Sequence, residues 1–303
     1  MPVFNSAQIL PITVDTLTNE LEQLDVAFEI ILVDDGSGDE SGSVAEELAR
    51  TRPEVRAIRL HRNYGQHNAT LCGIRNSQFD LVLTIDDDLQ NPPDQISMLL
   101  DACIPGVDVV YGYPVAERQT RIRNLSSRLV KRTLSRLFGG KLHANHSAFR
   151  LFRRSLVDAL ESLSGPHISI DAALTWGAHR TVAVPVRFDE RGSGASNYSF
   201  RKLTRHVLTM VTGYSTVPLR LVSAVGVIAG MVGFGLLGFS LLTATLQGRP
   251  PGFTFLASAV SLFAGVQLFA IGVLGEYIGE IHFRTMGMRP YSIRHREGFD
   301  SPD

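Results

Sequence analysis

Two uncharged apolar stretches, 221–246 and 253–275, close the chain, and no other feature limits its fold so strongly. At 1.5 Å per residue they form helices of roughly 39 and 34 Å, enough to cross a hydrocarbon core of about 30 Å. Two buried helices of a soluble domain are the alternative, but such helices seldom run this far without a charge. The connector Gln247-Gly248-Arg249-Pro250-Pro251-Gly252 is short and rich in turn formers, which predicts a hairpin with both outer ends on one side of the membrane. Arg201, Lys202, Arg205 and Arg220 precede the first span and Arg284, Arg289, Arg294 and Arg296 follow the second, whereas the connector carries only Arg249. That bias places the bulk of the protein and both termini on the cytoplasmic side of the membrane.

The expected division is therefore a catalytic domain over 1–200, a basic juxtamembrane segment over 201–220, the hairpin over 221–275 and a cytoplasmic tail over 276–303. Whole-chain averages conceal it, since a net charge of −1 and 44% hydrophobic residues describe an ordinary soluble protein. Two cysteines, Cys72 and Cys103, make no disulfide framework and read as small buried thiols. No basic start followed by an apolar core suggests a cleaved leader.

Ahead of the hairpin, short apolar runs alternate with helix-length amphipathic stretches, the pattern of an α/β domain with a mainly parallel sheet. Strands are predicted over 28–33, 55–60, 81–85 and 107–111, and helices near 6–24, 41–50, 68–76 and 93–103. Asp34-Asp35-Gly36-Ser37 follows the first run, Asn63-Tyr64-Gly65 the second and Asp86-Asp87-Asp88 the third. Strand carboxyl ends of an open parallel sheet share one edge, so these segments are expected to meet in a single cleft. Two aspartates spaced as Asp86 and Asp88 suit a hard divalent cation, Mg²⁺ or Mn²⁺, that keeps water and substrate phosphate in its shell. A solvated acidic turn is the bland reading of the triplet, and Asp34 and Asp35 on a neighbouring strand weigh against it. Those two are candidates for base and ribose contacts, although Asp-Gly-Ser is also a good turn.

Residues 118–138 carry Arg118, Arg121, Arg123, Arg128, Lys131, Arg132 and Arg136, with Ile122, Leu125, Leu129, Leu134 and Leu137 between them at roughly helical spacing. This reads as an amphipathic helix on an anionic lipid surface, with a solvated basic face and a nucleic-acid patch as the other readings. Beside two membrane spans the lipid reading is favoured and no nucleic-acid partner is expected. Gly226-x-x-x-Gly230 and Gly275-x-x-x-Gly279 permit close helix approach within the hairpin or between copies, which makes a homo-oligomer conceivable.

Five strings carry a resemblance: Asp34-Asp35-Gly36-Ser37, Arg62-Asn63-Tyr64-Gly65-Gln66-His67, Asp86-Asp87-Asp88-Leu89-Gln90-Asn91-Pro92-Pro93, Arg191-Gly192-Ser193-Gly194-Ala195-Ser196-Asn197-Tyr198 and Leu274-Gly275-Glu276-Tyr277-Ile278-Gly279. Together they resemble the family 2 glycosyltransferases that charge polyprenyl phosphates with a sugar, and the likeness covers nearly the whole chain. The resemblance implies a GT-A fold, a nucleotide-sugar donor with UDP favoured over GDP, a polyprenyl-phosphate acceptor and a divalent metal on Asp86 and Asp88. It implies donor contacts from Pro2, Asn5, Asp34, Asp35, Asn63, Gly65 and Asp87. It further implies that Arg118, Arg121, Arg150, Arg191 and Ser196 meet phosphate or acceptor, with Arg118 and Arg150 acting beside Asp86 and Asp88 in catalysis. Guanidinium groups match phosphate in a bidentate way, although Arg150 and Arg191 can equally be surface ion-pair partners.

Some positions depart from the family pattern. Ala144, beside Asn145 and His146, stands where many relatives have an acidic residue proposed as base, and Asn197 stands where a lysine is common. A phosphate monoester is largely dianionic near neutral pH, with a second pKa of about 6, so it needs little help from a base to attack an anomeric carbon. Direct attack inverts the anomeric configuration. Two alternatives stay open: transfer to another lipid acceptor, and a catalytically impaired sugar-nucleotide-binding partner in an envelope complex. Finally, Met1 to Ser6 resembles the segment that follows the family's first strand, so that strand is expected to be missing, exposing the edges of its neighbours, and Ser6 replaces a glutamate.

Overall fold

The computed structural model describes residues 1–114, 147–161, 163, 165, 168–188, 216–247 and 252–299. The chain divides into two units, one made of 1–198 with 286–303 and the other of 199–285. In the first unit the order is β1 (Pro2–Val3), α1 (Leu10–Gln23), β2 (Ile30–Asp34), α2 (Ser41–Thr51), β3 (Val55–Leu60), α3 (Gln66–Arg75), β4 (Leu81–Thr84), α4 (Ile96–Ala102) and β5 (Val109–Pro114). There follow β6 (Arg150–Arg153), α5 (Val157–Glu161), α6 (Ile170–Gly177) and β7 (Thr181–Val186). The second unit holds α7 (Val217–Gln247) and α8 (Phe253–Thr285), after which β8 (Ile293–Glu297) returns to the first.

Two four-stranded sheets form, in the orders β1-β2-β3-β8 and β4-β6-β5-β7. β1, β2 and β3 are parallel, β8 is antiparallel to β3, β6 runs antiparallel between β4 and β5, and β7 is parallel to β5. The unbroken apolar run in β2 has a simple cause, because both of its faces are covered. Ile30 and Leu32 pack with Leu10, Val14 and Leu17 of α1, while Ile31 and Val33 pack with Ala69 and Cys72 of α3. Cys72 is fully buried, and burial pushes its thiol up to about 12, so it remains a neutral core residue.

Of the segment after Gly275, residues 276–285 continue α8 and the described residues from 286 onward belong to the first unit. Tyr291 and Ile293 pack against the cluster that contains Ile58, Leu60 and Cys72, and β8 pairs with β3 in the register Ala57↔Glu297 to Leu60↔Ile293. A single folded unit thus both feeds the hairpin and receives its far end.

Both helices are long and apolar enough to cross a membrane, over Val217–Ser240 and Leu262–Phe283. Large apolar side chains such as Phe234 and Phe269 are exposed there, as lipid-facing positions require. α8 continues past Gly275 to Thr285, because nothing in Glu276 to His282 breaks a helix. Gly226, Gly230, Gly275 and Gly279 have no neighbouring atoms at the Cβ position; Gly233 instead lies against the Phe263 ring, which a Cβ would approach to 3.0 Å.

The start of the chain differs from expectation. Pro2 and Val3 are themselves a short strand, paired with Val33 and Asp34 of β2. The Met1 ammonium donates to the Ile31 carbonyl at 2.9 Å, and burial lowers its pKa to about 6. Beyond Met1, a cavity of about 340 Å³ separates β2 from β4, lined by apolar residues that include Leu17, Ile30, Ile31, Leu81, Leu83 and Ile96. Pro2 and Val3 cover the upper end of β2. Joining an extended segment of four or five alternating apolar residues ahead of Met1 should fill part of this slot. At about 24 cal/mol per Å³, filling a quarter of it contributes roughly 2 kcal/mol, or about 6 °C in Tm. An unchanged midpoint in a thermal melt would show that the slot does not accept a strand.

Candidate active site

Every polar segment singled out on β2, β3 and β4 lies at the same edge of the unit, and hydrogen bonds tie them together. Asp35, buried at the end of β2, accepts from the Tyr64 and Gly65 amides at 2.7 and 2.8 Å, which pins the loop after β3 to the loop after β2. Burial raises the pKa of its carboxyl against those two bonds. Gly36 makes the close approach possible, with φ +67° and a Cβ position only 2.4 Å from the Arg62 carbonyl carbon. Asn5 bridges likewise, donating its amide to Ser37 Oγ at 3.0 Å and accepting from Gly38 at 2.9 Å.

Asp34 has a more internal position than its motif suggests. Its carboxylate accepts from the Ser37 amide at 3.1 Å and pairs with Arg59 at 3.4 Å, with its side chain 1% exposed. Asp34 therefore builds the turn, whereas Asn63 is exposed and Gly65, with φ +93°, opens α3 at the rim. Pro2 reaches the wall of the cavity described below.

Asp86, Asp87 and Asp88 follow β4 directly and divide their work. Asp87 accepts from the Phe4 amide at 3.2 Å and from the Ser6 hydroxyl, and its carbonyl accepts from buried Thr13 of α1 at 3.1 Å. Ser6 thus fastens the first loop to the acidic triplet. Asp86 accepts from Gln66 Nε2 at 2.6 Å, and Asp88 accepts from the Gln90 amide at 3.1 Å. Leu89 sits at φ +56°, where a leucine is rarely found, so the turn is held by its surroundings.

Electrostatics make this corner a poor place for bare carboxylates. Burial first, and then the Asp88 and Asp87 carboxylates, push Asp86 up to about 6, against the Gln66 hydrogen bond and the positive charge of Arg150. A divalent cation relieves that repulsion, and carboxylate oxygens are donors that Mg²⁺ and Mn²⁺ accept. Among the described residues no group of three metal-ligating side chains exists. By donor type Asp86 and Asp88 would suit such a cation, each offering carboxylate oxygens at the end of β4.

A polar cavity of about 210 Å³ opens beside Asp86, lined also by Pro2, Gln66, His67, Thr84, Ser147, Arg150 and Asp171. Arg150 is 3% exposed; its Nε donates to Thr84 Oγ1 at 3.1 Å, and another guanidinium nitrogen pairs with Asp171. Sequence reading placed Arg150 near phosphate without finding Gln66 or Asp171. Gln66 was legible in the Asn-Tyr-Gly-Gln-His string, whereas nothing near Asp171 in the chain marks it. Arg118, Arg121, Arg191 and Ser196, with Ala144 and Asn197, lie outside the described residues.

The raised Asp86 pKa has a signed consequence. The metal-free folded state binds this proton more tightly than the unfolded state, so the stabilisation is complete below the unfolded value of 3.8 and is lost as pH rises through about 6. Asp86→Asn removes the term. Its stability relative to wild type, measured by urea unfolding in EDTA, should rise by roughly 2 kcal/mol between pH 4 and pH 7, and Mn²⁺ should favour wild type alone. A difference independent of pH would contradict the electrostatics.

Comparison with known proteins agrees with this geometry. Residues 1–161 match the family described as "Glycosyl transferase family 2". The chain is 35% identical over 289 residues to the undecaprenyl-phosphate 4-deoxy-4-formamido-L-arabinose transferase of Sodalis glossinidius (strain morsitans), covering 93% of this chain and 88% of that one. It is 33% identical over 307 residues to the protein of the same name from Proteus mirabilis (strain HI4320), covering 100% and 94%. A mycobacterial protein of known crystal structure matches at TM-score 0.51 and 18% identity over 70% of each chain, a likeness of fold. The chain thus belongs to glycosyl transferase family 2 and is a glycosyltransferase with a GT-A catalytic unit and two apolar C-terminal helices.

Proposed function

We propose that this enzyme transfers a sugar, with inversion, from a nucleotide-sugar donor to a polyprenyl phosphate, undecaprenyl or decaprenyl, at the cytoplasmic face of the membrane, for synthesis or modification of an envelope glycan. The observation that carries the reading is the polar cavity in which Asp86 and Arg150 meet, in a unit that both enters and leaves an apolar hairpin. The names of the two relatives support the choice of acceptor.

In this reading the donor lies across the ends of β1 to β4, against Pro2, Asn5, Asp35, Asn63, Gly65 and Asp87, with uridine favoured over guanosine. Asp34 contributes through the turn it holds. The acceptor phosphate attacks the anomeric carbon as a dianion, so removal of a proton is a minor part of the barrier. The major part is the charge of the departing nucleoside diphosphate. A divalent cation on Asp86 and Asp88, Mg²⁺ or Mn²⁺, supplies Lewis-acid stabilisation for that group. Arg150 adds a fixed positive charge beside the cavity, and Arg118, Arg121, Arg191 and Ser196 are assigned to the acceptor side. The excess of basic residues flanking 221–275 supports a cytoplasmic position for the catalytic unit and both termini. The open glycine faces of α7 and α8 suit association between copies.

The test is transfer of radiolabel from UDP- and GDP-sugars into organic-extractable lipid by full-length protein in detergent, with defined polyprenyl phosphates, diacylglycerol as a competing acceptor, and Mg²⁺ or Mn²⁺. Label in polyprenyl lipid should depend on metal and fall at least 100-fold in Asp88→Ala. Label in diacylglycerol alone would move the acceptor assignment. Donor binding without label in either lipid would contradict transfer.

A further inference from the structure

Strand register sets a row of polar side chains across the second sheet. In β6, Arg150 is paired with Thr84 of β4 on one side and Tyr111 of β5 on the other. Directly paired residues project to the same face of a sheet, so the guanidinium is flanked by two hydroxyl side chains. α6 covers that face, and its first turn brings Asp171 onto Arg150. The start of α6 is fixed by Ser169, whose side chain accepts from the Ala172 amide at 3.3 Å. Thr175, one turn on, donates to the Asp171 carbonyl at 2.7 Å.

The arginine is thereby gripped from three directions. Thr84 takes Nε and itself donates to the Ala148 carbonyl at 2.5 Å, so its hydroxyl cannot turn away. Asp171 takes a terminal nitrogen. Buried Tyr111, whose hydroxyl also interacts with Asp171 and whose pKa burial drives upward, closes the far side as a neutral group. A free arginine side chain carries considerable rotamer entropy, and a grip of this kind removes it before a ligand arrives. Both Arg150 and Asp171 line the cavity that holds Asp86.

We propose that Asp171 is a positioning residue: with Thr84 it fixes the guanidinium of Arg150 so that its remaining N–H donors face the cavity and hydrogen-bond a phosphoryl oxygen of the reacting substrates. The inference rests on the transferase reading and deepens it, by assigning Arg150 an orientation and Asp171 a task that no motif marks. Donor diphosphate and acceptor phosphate share the chemistry, and separate kinetic arms distinguish them. A surface arginine searching for phosphate loses entropy on binding, whereas this one is aimed in advance, so the effect falls on phosphate affinity or on kcat and not on metal binding.

The experiment uses the full-length protein and Asp171→Asn, Asp171→Glu, Arg150→Lys and the double variant Arg150→Lys/Asp171→Asn. Steady-state kinetics are read separately against donor and acceptor, and binding of inorganic pyrophosphate with Mn²⁺ is read by calorimetry. Asp171→Asn should weaken pyrophosphate binding or one substrate's kcat/KM by tenfold or more, and Asp171→Glu should recover to within threefold. The double variant should lose little beyond Arg150→Lys alone, because the two residues act as one device. A rise confined to the donor KM assigns Arg150 to the diphosphate, and one confined to the acceptor KM assigns it to the lipid phosphate. Wild-type protein that binds pyrophosphate but transfers no sugar would sink the transferase reading while leaving the binding series to decide the role of Asp171. Should Asp171→Asn fail to fold, Thr84→Val tests the same grip from the other side, with the same substrate's kcat/KM falling about fivefold in protein that remains folded, although the lost bonds to Arg150 and Ala148 lower its Tm. Binding and kinetics within twofold of wild type in the folded variant would overturn the proposal, as would fully additive losses in the double variant.

Discussion

Burial of the Asp86 and Asp87 carboxyls, with repulsion from their neighbours added to it, governs the site, and much of the surrounding structure manages it. Burial takes water away from these groups, so their mutual repulsion is weakly screened and charge must be supplied from elsewhere. Asp87 is settled inside the protein, by the Phe4 amide and the Ser6 hydroxyl, which also anchors the first loop. Asp86 is only half-settled by Gln66 and the charge of Arg150. In the proposed function a divalent cation would offset the remaining negative charge.

The second organising constraint is topological. Because β8 pairs with β3, the apolar hairpin is an excursion from the catalytic unit and not an appendage at its end. β3 leads into the Asn63–Gly65 loop, which Asp35 pins by two hydrogen bonds. One strand therefore connects the far end of the hairpin to the rim of the site.

What the sequence made legible follows from which forces are local. β2 and the two apolar helices were readable because each is written as a continuous apolar run, and β3 because apolar residues bracket Arg56 and Arg59. The position of Asp86-Asp87-Asp88 was readable because the triplet directly follows an apolar run that forms β4. Register was not readable: that Thr84, Arg150 and Tyr111 lie abreast depends on pairing between segments tens of residues apart. For the same reason Asp171 stayed hidden, and Asp34 was read as a ligand contact although its bonds to Ser37 and Arg59 make it a turn residue. β8 was missed because four of its five residues, Arg294 to Glu297, are polar or charged and give no apolar run, so it takes strand form on the edge that β3 offers.

The most direct test is a Mn²⁺ titration of the full-length protein followed by electron paramagnetic resonance, with and without UDP, in wild type and Asp88→Ala. A site with two protein carboxylates that waits for diphosphate oxygens predicts weak binding alone, affinity at least tenfold higher with UDP, and loss of that gain in the variant. Mn²⁺ affinity indifferent to the nucleotide, or unaltered by Asp88→Ala, would contradict the account.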